Sequence, residues 1–134
     1  MTPADSLTLR DTLDGLTPSR IATLYRRAPL LRQTDSADRI ERAFQNSGLV
    51  LSLWDGERLV ALARVLTDGV AVAYLCDLAV EPDVQGGGVG KRLVDEVMAR
   101  VQGAELILRD SNLSTGFYDR LGFAPVENAW SRRA

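Results

Sequence analysis

Between Leu49 and Val101 the chain changes its hydrophobic period, and this pattern leaves few ways to fold it. Three runs, residues 49–54, 58–66 and 70–80, are rich in Leu, Val and aromatic side chains and are separated by Asp55-Gly56 and Asp68-Gly69. An Asp-Gly pair supplies the positive-φ residues of a tight hairpin, so the runs predict three consecutive antiparallel strands. Glu81-Pro82 breaks the third run. Residues 85–90 then hold four glycines, and Leu93, Val94, Val97, Met98 and Val101 recur on one helical face that Gly103 closes. A strand, a glycine-rich loop and a helix therefore follow one another directly.

Upstream, Leu7 and Leu9 alternate with polar neighbours in a short first strand. Thr17-Pro18 is an N-cap with a first-turn proline, Ile21, Leu24, Tyr25 and Ala28 follow at helical spacing, and Pro29 ends this helix. A second helix is predicted from Asp35 or Ser36, with Ile40, Ala43 and Phe44 inward and Gly48 as its terminator. Downstream, residues 106–108 read as a short strand, 114–121 as a short helix and Phe123 onward as a last strand. The order β-α-α-β-β-β-α-β-α-β describes an α/β fold, a mixed central sheet of about six strands with helices on both faces. No repeat or linker interrupts it, so residues 1–134 are expected to form a single domain.

Composition narrows the chemistry. The chain has no histidine and one cysteine, Cys76. That excludes Ser-His-Asp and Cys-His catalysis, histidine-containing or cysteine-only zinc sites and an intrachain disulfide, so no metal is expected. Proton transfer is left to carboxylates, tyrosines, the thiol, an amine or water. A net charge of −2 and a pI near 5.1 give no reason to expect a nucleic-acid partner. No apolar run approaches membrane-spanning length, and the first residues lack the basic and apolar regions of a signal peptide. A cytoplasmic protein with no membrane contact and a reduced Cys76 is the resulting expectation. Arginine dominates the basic set, and Lys91 is the one lysine.

The glycine loop runs Val80-Glu81-Pro82-Asp83-Val84-Gln85-Gly86-Gly87-Gly88-Val89-Gly90-Lys91. Between a strand and a helix such a loop can turn its N–H groups inward and cradle phosphates, or it can be a flexible turn whose glycines serve only packing. A Walker A loop, G-x-x-x-x-G-K-S/T, fails at Gln85 and at Arg92. A dinucleotide fingerprint, G-x-G-x-x-G, fails at Lys91 or at Leu93, depending on where it starts. The pattern Q/R-x-x-G-x-G/A is met by Gln85, Gly88 and Gly90, and V-x-P precedes it at Val80 to Pro82. Here the chain resembles the acetyl-CoA-binding motif of the GNAT N-acetyltransferase superfamily. Residues 112–123 are similar to that family's later motif, N-x-x-A-x-x-F/L-Y-x-x-x-G-F, with Thr115 in place of alanine.

The resemblance implies a GNAT-like domain that transfers an acetyl group from acetyl-CoA to a primary amine of a small molecule by direct attack. It implies equally a rival, a non-catalytic acyl-CoA-binding or sensor module of the same fold. In the family two strands, here 70–80 and 105–109, run parallel and splay apart, so main-chain groups of Leu78, Ala79 and Val80 would bond the pantetheine arm. Gln85, Gly86, Gly87, Gly88, Val89, Gly90 and Lys91 would bind the pyrophosphate, Lys91 either adding charge or remaining a solvated helix residue. Asn112 would bond the cofactor arm or serve only as a turn residue. Tyr118 matches the family's general acid at the thiol; reference pKa values near 10 and 8.5 make full proton transfer uphill by about 1.5 pH units, roughly 2 kcal/mol. That favours a hydrogen-bond donor.

The amine must also lose a proton. Asp77, the one charge in residues 70–80, is the leading acceptor, with its pKa raised by partial burial, unless it is tied to backbone N–H groups or to Arg64. Ordered water and Glu81 stand beside it as candidates, Glu81 the weaker for its place next to Pro82, and Tyr25, Tyr74 and Cys76 are further options. Trp54 and Tyr25 either line the acceptor pocket or belong to the core. Arg26-Arg27 and Arg132-Arg133 could meet an anionic acceptor or the cofactor's 3′-phosphate, or be merely solvated. The family usually carries two strands after the short helix, whereas eleven residues follow Phe123, so the second is either lost or supplied by a partner chain in a homodimer.

Overall fold

Thr17 Oγ1 accepts the Arg20 N–H at 3.2 Å and Pro18 occupies the first turn, so α1 (Pro18–Arg27) starts where its cap places it. The computed structural model describes residues 2–110 and 116–134. Ser36 caps α2 (Ala37–Gln45) in the same way, through the Arg39 N–H at 3.3 Å. Around these helices the chain forms β1 (Thr8–Arg10), β2 (Leu49–Asp55), β3 (Arg58–Thr67), β4 (Val72–Val80), α3 (Val89–Arg100), β5 (Glu105–Leu108) and α4 (Phe117–Arg120). The strands make one sheet in the order β1-β2-β3-β4-β5, antiparallel except for the parallel β4–β5 pair.

Helices cover both faces of the sheet. On one, Ile21, Leu24, Ile40 and Phe44 of α1 and α2 bury Val50, Trp54, Leu62 and Ala79. On the other, Val89, Leu93 and Val97 of α3 bury Leu51, Leu53, Ala63 and Leu75. Strands buried on both sides explain why the runs from Leu49 onward lack a clean apolar–polar alternation. Trp54, 1% exposed, donates its Nε1–H to Ser52 Oγ at 2.8 Å, which satisfies both groups inside the core. Tyr25 and Trp54 are thus core residues. Among the described residues no helix is long and apolar enough to cross a membrane.

Besides the short last helix, which ends at Arg120 and not at residue 121, three features differ from the sequence reading. β4 begins at Val72 and not at residue 70, because the Asp68 carboxylate accepts N–H bonds from Val70, Ala71 and Val72 at 2.9, 2.8 and 3.1 Å and winds them into the turn. The same bonds hold the Asp68 carboxyl down at about 2. The sheet has five strands rather than about six, since none forms after Phe123 among the described residues. Phe123 spends its N–H on Tyr118 O at 3.1 Å, closing α4, and Pro125 has none to offer a ladder.

Gly48 is the third case. Asn46 already closes α2, its side chain donating to Arg42 O at 2.7 Å. Gly48 is required instead by the neighbouring strand, because a Cβ there would lie 2.3 Å from Thr67 O. Gly48→Ala must push β2 and β3 apart locally, and urea unfolding is expected to show a loss of about 1–3 kcal/mol. A neutral result would remove this close approach as a constraint.

Candidate functional site

The site begins where a ladder ends. β4 pairs with β3 from Ala73 to Val80, but with β5 only from Val72 to Leu75, opposite Glu105 to Leu108. Arg64 faces Asp77 and Val65 faces Leu75, so Cys76 is an extra residue, a β-bulge. A bulge bends its strand and increases the twist, and the ladder to β5 stops one residue before it. It also changes which side chains go where: Leu75 packs beneath α3, whereas Ala79, four residues on, packs beneath α1 and α2. Past the bulge the Glu81 N–H donates to Val60 O at 2.8 Å. By the alternation of antiparallel pairing, Asp77 and Ala79 then aim their main-chain groups at β3, and Leu78 and Val80 aim theirs at the open flank.

That flank is one wall of a trough of about 740 Å³. At one end lies the glycine loop. Gly88, at φ +81°, caps α3 with no side-chain bond, and the first intrahelical donor is the Arg92 N–H, to Gly88 O at 2.9 Å. The N–H groups of Val89, Gly90 and Lys91 therefore have no partner within the helix, and the helix dipole adds about half a positive charge there. Gln85 braces the loop, donating its side-chain amide to Val80 O at 3.0 Å and Ala28 O at 3.3 Å. Gly90 lets α4 approach, since a Cβ would meet the Phe117 ring at 3.1 Å.

Leu75, Leu78, Val80 and Leu108 line the trough's middle, and Tyr118 of α4 lies against it. The Tyr118 ring is held edge-on between Phe117 and Phe123, with centroids 5.0 and 5.6 Å away. Burial, and then the charge of Asp110, push its phenol up to about 12, so the hydroxyl keeps its proton across the working range of most proteins. Beyond Cys76 the trough runs into a second cavity of about 700 Å³; the two share Leu31, Arg32, Cys76, Arg109 and Asp110. The whole arrangement can take an extended ligand with an anionic group at the loop and amide groups along β4.

A family model for the acetyltransferase (GNAT) domain matches residues 25–133. The chain belongs to the GNAT family. It is 30% identical over 131 residues to serotonin N-acetyltransferase 2 of Oryza sativa, covering 90% of this chain and 63% of the rice protein. A solved GNAT-family structure from Xanthomonas campestris superposes with a TM-score of 0.80 at 28% identity, covering 96% of this chain and 93% of the other. At 19% identity the fold is shared, with a TM-score of 0.69, by a GNAT acetyltransferase from Elizabethkingia anophelis with acetyl-CoA bound; 92% of this chain and 79% of that one are covered. The chain spans between 53% and 63% of the length of three plant and algal relatives it matches.

Of the residues the two GNAT motifs single out, Leu78, Val80, Gln85 and Gly86 line the trough, as do Gly88 through Lys91 and Tyr118. Ala79 does not: it is 1% exposed in the core, with its main chain turned to β3. Gly87 is also absent from the lining. Asn112 lies outside the described residues. Lys91 forms an ion pair with Asp95 one helical turn on, which is the solvated-residue reading of that side chain. Among the described residues no cluster of three metal-ligating side chains occurs.

Asp77 is more deeply buried than expected, and of the alternatives the sequence left open it takes the pairing with Arg64. It is 2% exposed, and three donors hold it: Tyr25 Oη at 2.8 Å, Arg32 Nε at 2.6 Å and Arg64 Nε at 2.6 Å. Burial, and then the Asp77 charge, hold the Tyr25 phenol well above its usual range, so it stays a donor. Glu81 is likewise engaged, by Arg27 Nε at 2.9 and 2.7 Å and by Arg58 at 3.6 Å. Burial pushes the Cys76 thiol up, and Asp77 adds to this while Arg64 opposes it. Its S–H points to Tyr74 O at 3.7 Å.

The residues that sequence reasoning missed are Arg32, Arg109 and Asp110, where the two cavities join. Arg109-Asp110 had one usable signal, their place directly after the apolar end of the splayed strand; Arg32, in an aperiodic stretch after Pro29, had none. The exposure of the partners ranks the two ion clusters. Arg32 and Arg64 are 32% and 17% exposed, against 54% and 44% for Arg27 and Arg58. Asp77→Ala strands two half-buried guanidiniums and is expected to cost about 3 kcal/mol. Glu81→Ala leaves arginines that water can reach, and about 1 kcal/mol is expected. Denaturant titration checks the order, and equal losses would contradict it.

Proposed function

We propose that the protein transfers the acetyl group of acetyl-CoA to the primary amine of a small acceptor by direct attack. The observation that carries this reading is the unpaired flank of β4 beyond Leu75, set between the uncapped α3 N-terminus and the Tyr118 hydroxyl. The α3 N-terminus and the loop N–H groups receive the pyrophosphate. The Leu78 main chain and the Val80 N–H are offered to the pantetheine amides, and a β4 N–H stabilises the oxyanion that develops on the thioester carbonyl. The incoming amine forms the C–N bond, the C–S bond breaks, and Tyr118 donates a hydrogen bond to the departing sulfur. With a phenol held near 12, Tyr118 stabilises the thiolate without surrendering its proton.

The acceptor's own proton goes to water in the second cavity. Asp77 already accepts from Tyr25, Arg32 and Arg64, and Glu81 from Arg27, so water is the readier destination for it. A protonated, half-buried thiol at Cys76 argues against an acetyl-cysteine intermediate and for a single transfer.

Free-thiol release from acetyl-CoA across a panel of amines tests this. Tyr118→Phe is expected to lower kcat by about tenfold to a hundredfold, the value of one hydrogen bond to a charged group, with acetyl-CoA affinity largely kept. Cys76→Ala is expected to retain turnover. Undiminished turnover in Tyr118→Phe would remove the phenol from the mechanism. Acetyl-CoA binding with no thiol release in any amine would favour a sensor over an enzyme.

A further inference from the structure

The second cavity has a charge that the rest of the chain does not share. The protein carries a net charge of −2, yet this cavity is lined by Arg32, Arg64, Arg109 and Arg133 against only Asp77 and Asp110, an excess of two positive charges. Asp77 is already consumed: Arg32 and Arg64 hold it from both sides. Arg109 and Arg133 make no ion pair with a described residue, and the excess remains with Asp110 counted against them. The two arginines arrive from separate parts of the fold, Arg109 from the end of β5 and Arg133 from the C-terminal segment. They converge on the cavity that opens from the trough at Cys76, away from the glycine loop.

The position of that cavity relative to the reaction decides what it is for. Resting on the acetyl-transfer reading above, the loop takes the cofactor's phosphates at one end of the trough, and the acceptor enters from the other. We infer that the acceptor is an amine that also bears an anionic group, a phosphate or a carboxylate, which Arg109 and Arg133 bind while the amine faces the thioester. Guanidinium matches both groups with paired N–H bonds, fixing orientation as well as charge. The Asp77 cluster keeps the wall of this cavity rigid: Arg32 also donates to Cys76 O at 2.7 Å, and Arg64 to Ser47 Oγ at 3.3 Å. Anchoring the acceptor at a second point holds its amine in line with the carbonyl carbon.

Matched amines test the inference on the full chain: ethanolamine against phosphoethanolamine, and propylamine against β-alanine, with thiol release from acetyl-CoA as the readout. The anionic member of at least one pair is expected to show kcat/KM higher by about tenfold to a hundredfold, as charge-assisted bonds imply. The advantage should shrink as salt rises. The pair that shows the larger ratio tells phosphate from carboxylate. Arg133→Gln, which lies outside the cofactor trough, should reduce that ratio through KM, and the Arg109→Gln/Arg133→Gln double variant should bring it toward one. Both side chains are exposed, so both variants should fold.

Equal or better turnover of the neutral members would overturn the inference and leave acetyl transfer standing. A fall in acetyl-CoA affinity in Arg133→Gln, with the acceptor ratio unchanged, would overturn it by assigning the arginine to the cofactor. No thiol release from either anionic amine while neutral amines of a wider panel react would overturn the inference alone, and acetyl-CoA binding with no release from any amine of that panel would overturn both readings.

Discussion

The ladder between β4 and β5 stops at Leu75 and Leu108, and the site exists because it stops there. Buried main-chain groups are normally paired, and with Val80 O held by the Gln85 amide, a strand that leaves Leu78 and the Val80 N–H open on one flank must meet water or a ligand. Cys76 is the local cause. One extra residue in β4 bends it away from its parallel neighbour and, in the same stroke, redirects the side chains that follow. Without the bulge Asp77 would continue the α3 face with Ala73 and Leu75; with it, the carboxylate points toward α1 and meets Tyr25.

Three donors then secure the bulge. A carboxylate at 2% exposure is costly unless it is fully bonded, and Tyr25, Arg32 and Arg64 tie it to α1, to the segment after α1 and to β3. The same bonds give the second cavity a fixed wall. They also occupy the carboxylate, three of whose acceptor positions face Tyr25 and the two guanidiniums. In a chain with no histidine, the proposed chemistry then rests on backbone N–H groups, a phenol that keeps its proton, and water.

Features set by neighbouring residues were legible in the sequence. The Thr17 and Ser36 regions mark the starts of α1 and α2, Asp55-Gly56 and Asp68-Gly69 mark the hairpins, and the glycines of residues 86–90 mark the loop before α3. Features set by distant partners were not. Of the three donors to Asp77, Arg64, 13 residues away, was open to the sequence reading as an alternative, whereas Tyr25 and Arg32, 52 and 45 residues away, were not legible as its partners. Gly48 read as a helix terminator, although the strand beside it sets its need for no side chain. The bulge at Cys76 has no composition signal, and the missing last strand reflects a single N–H at Phe123 spent on closing α4.

The central claim is that the open flank of β4 and the α3 N-terminus together hold acetyl-CoA. Backbone amide NMR during titration with acetyl-CoA tests it most directly. The N–H resonances of Leu78, Val80, Val89, Gly90 and Lys91 are expected to move together and saturate at one concentration, with those of Ser19, Arg20 and Thr23 in α1 unmoved. Saturable shifts confined to α1 and the β2–β3 turn, with the β4 and α3 amides still, would contradict the account.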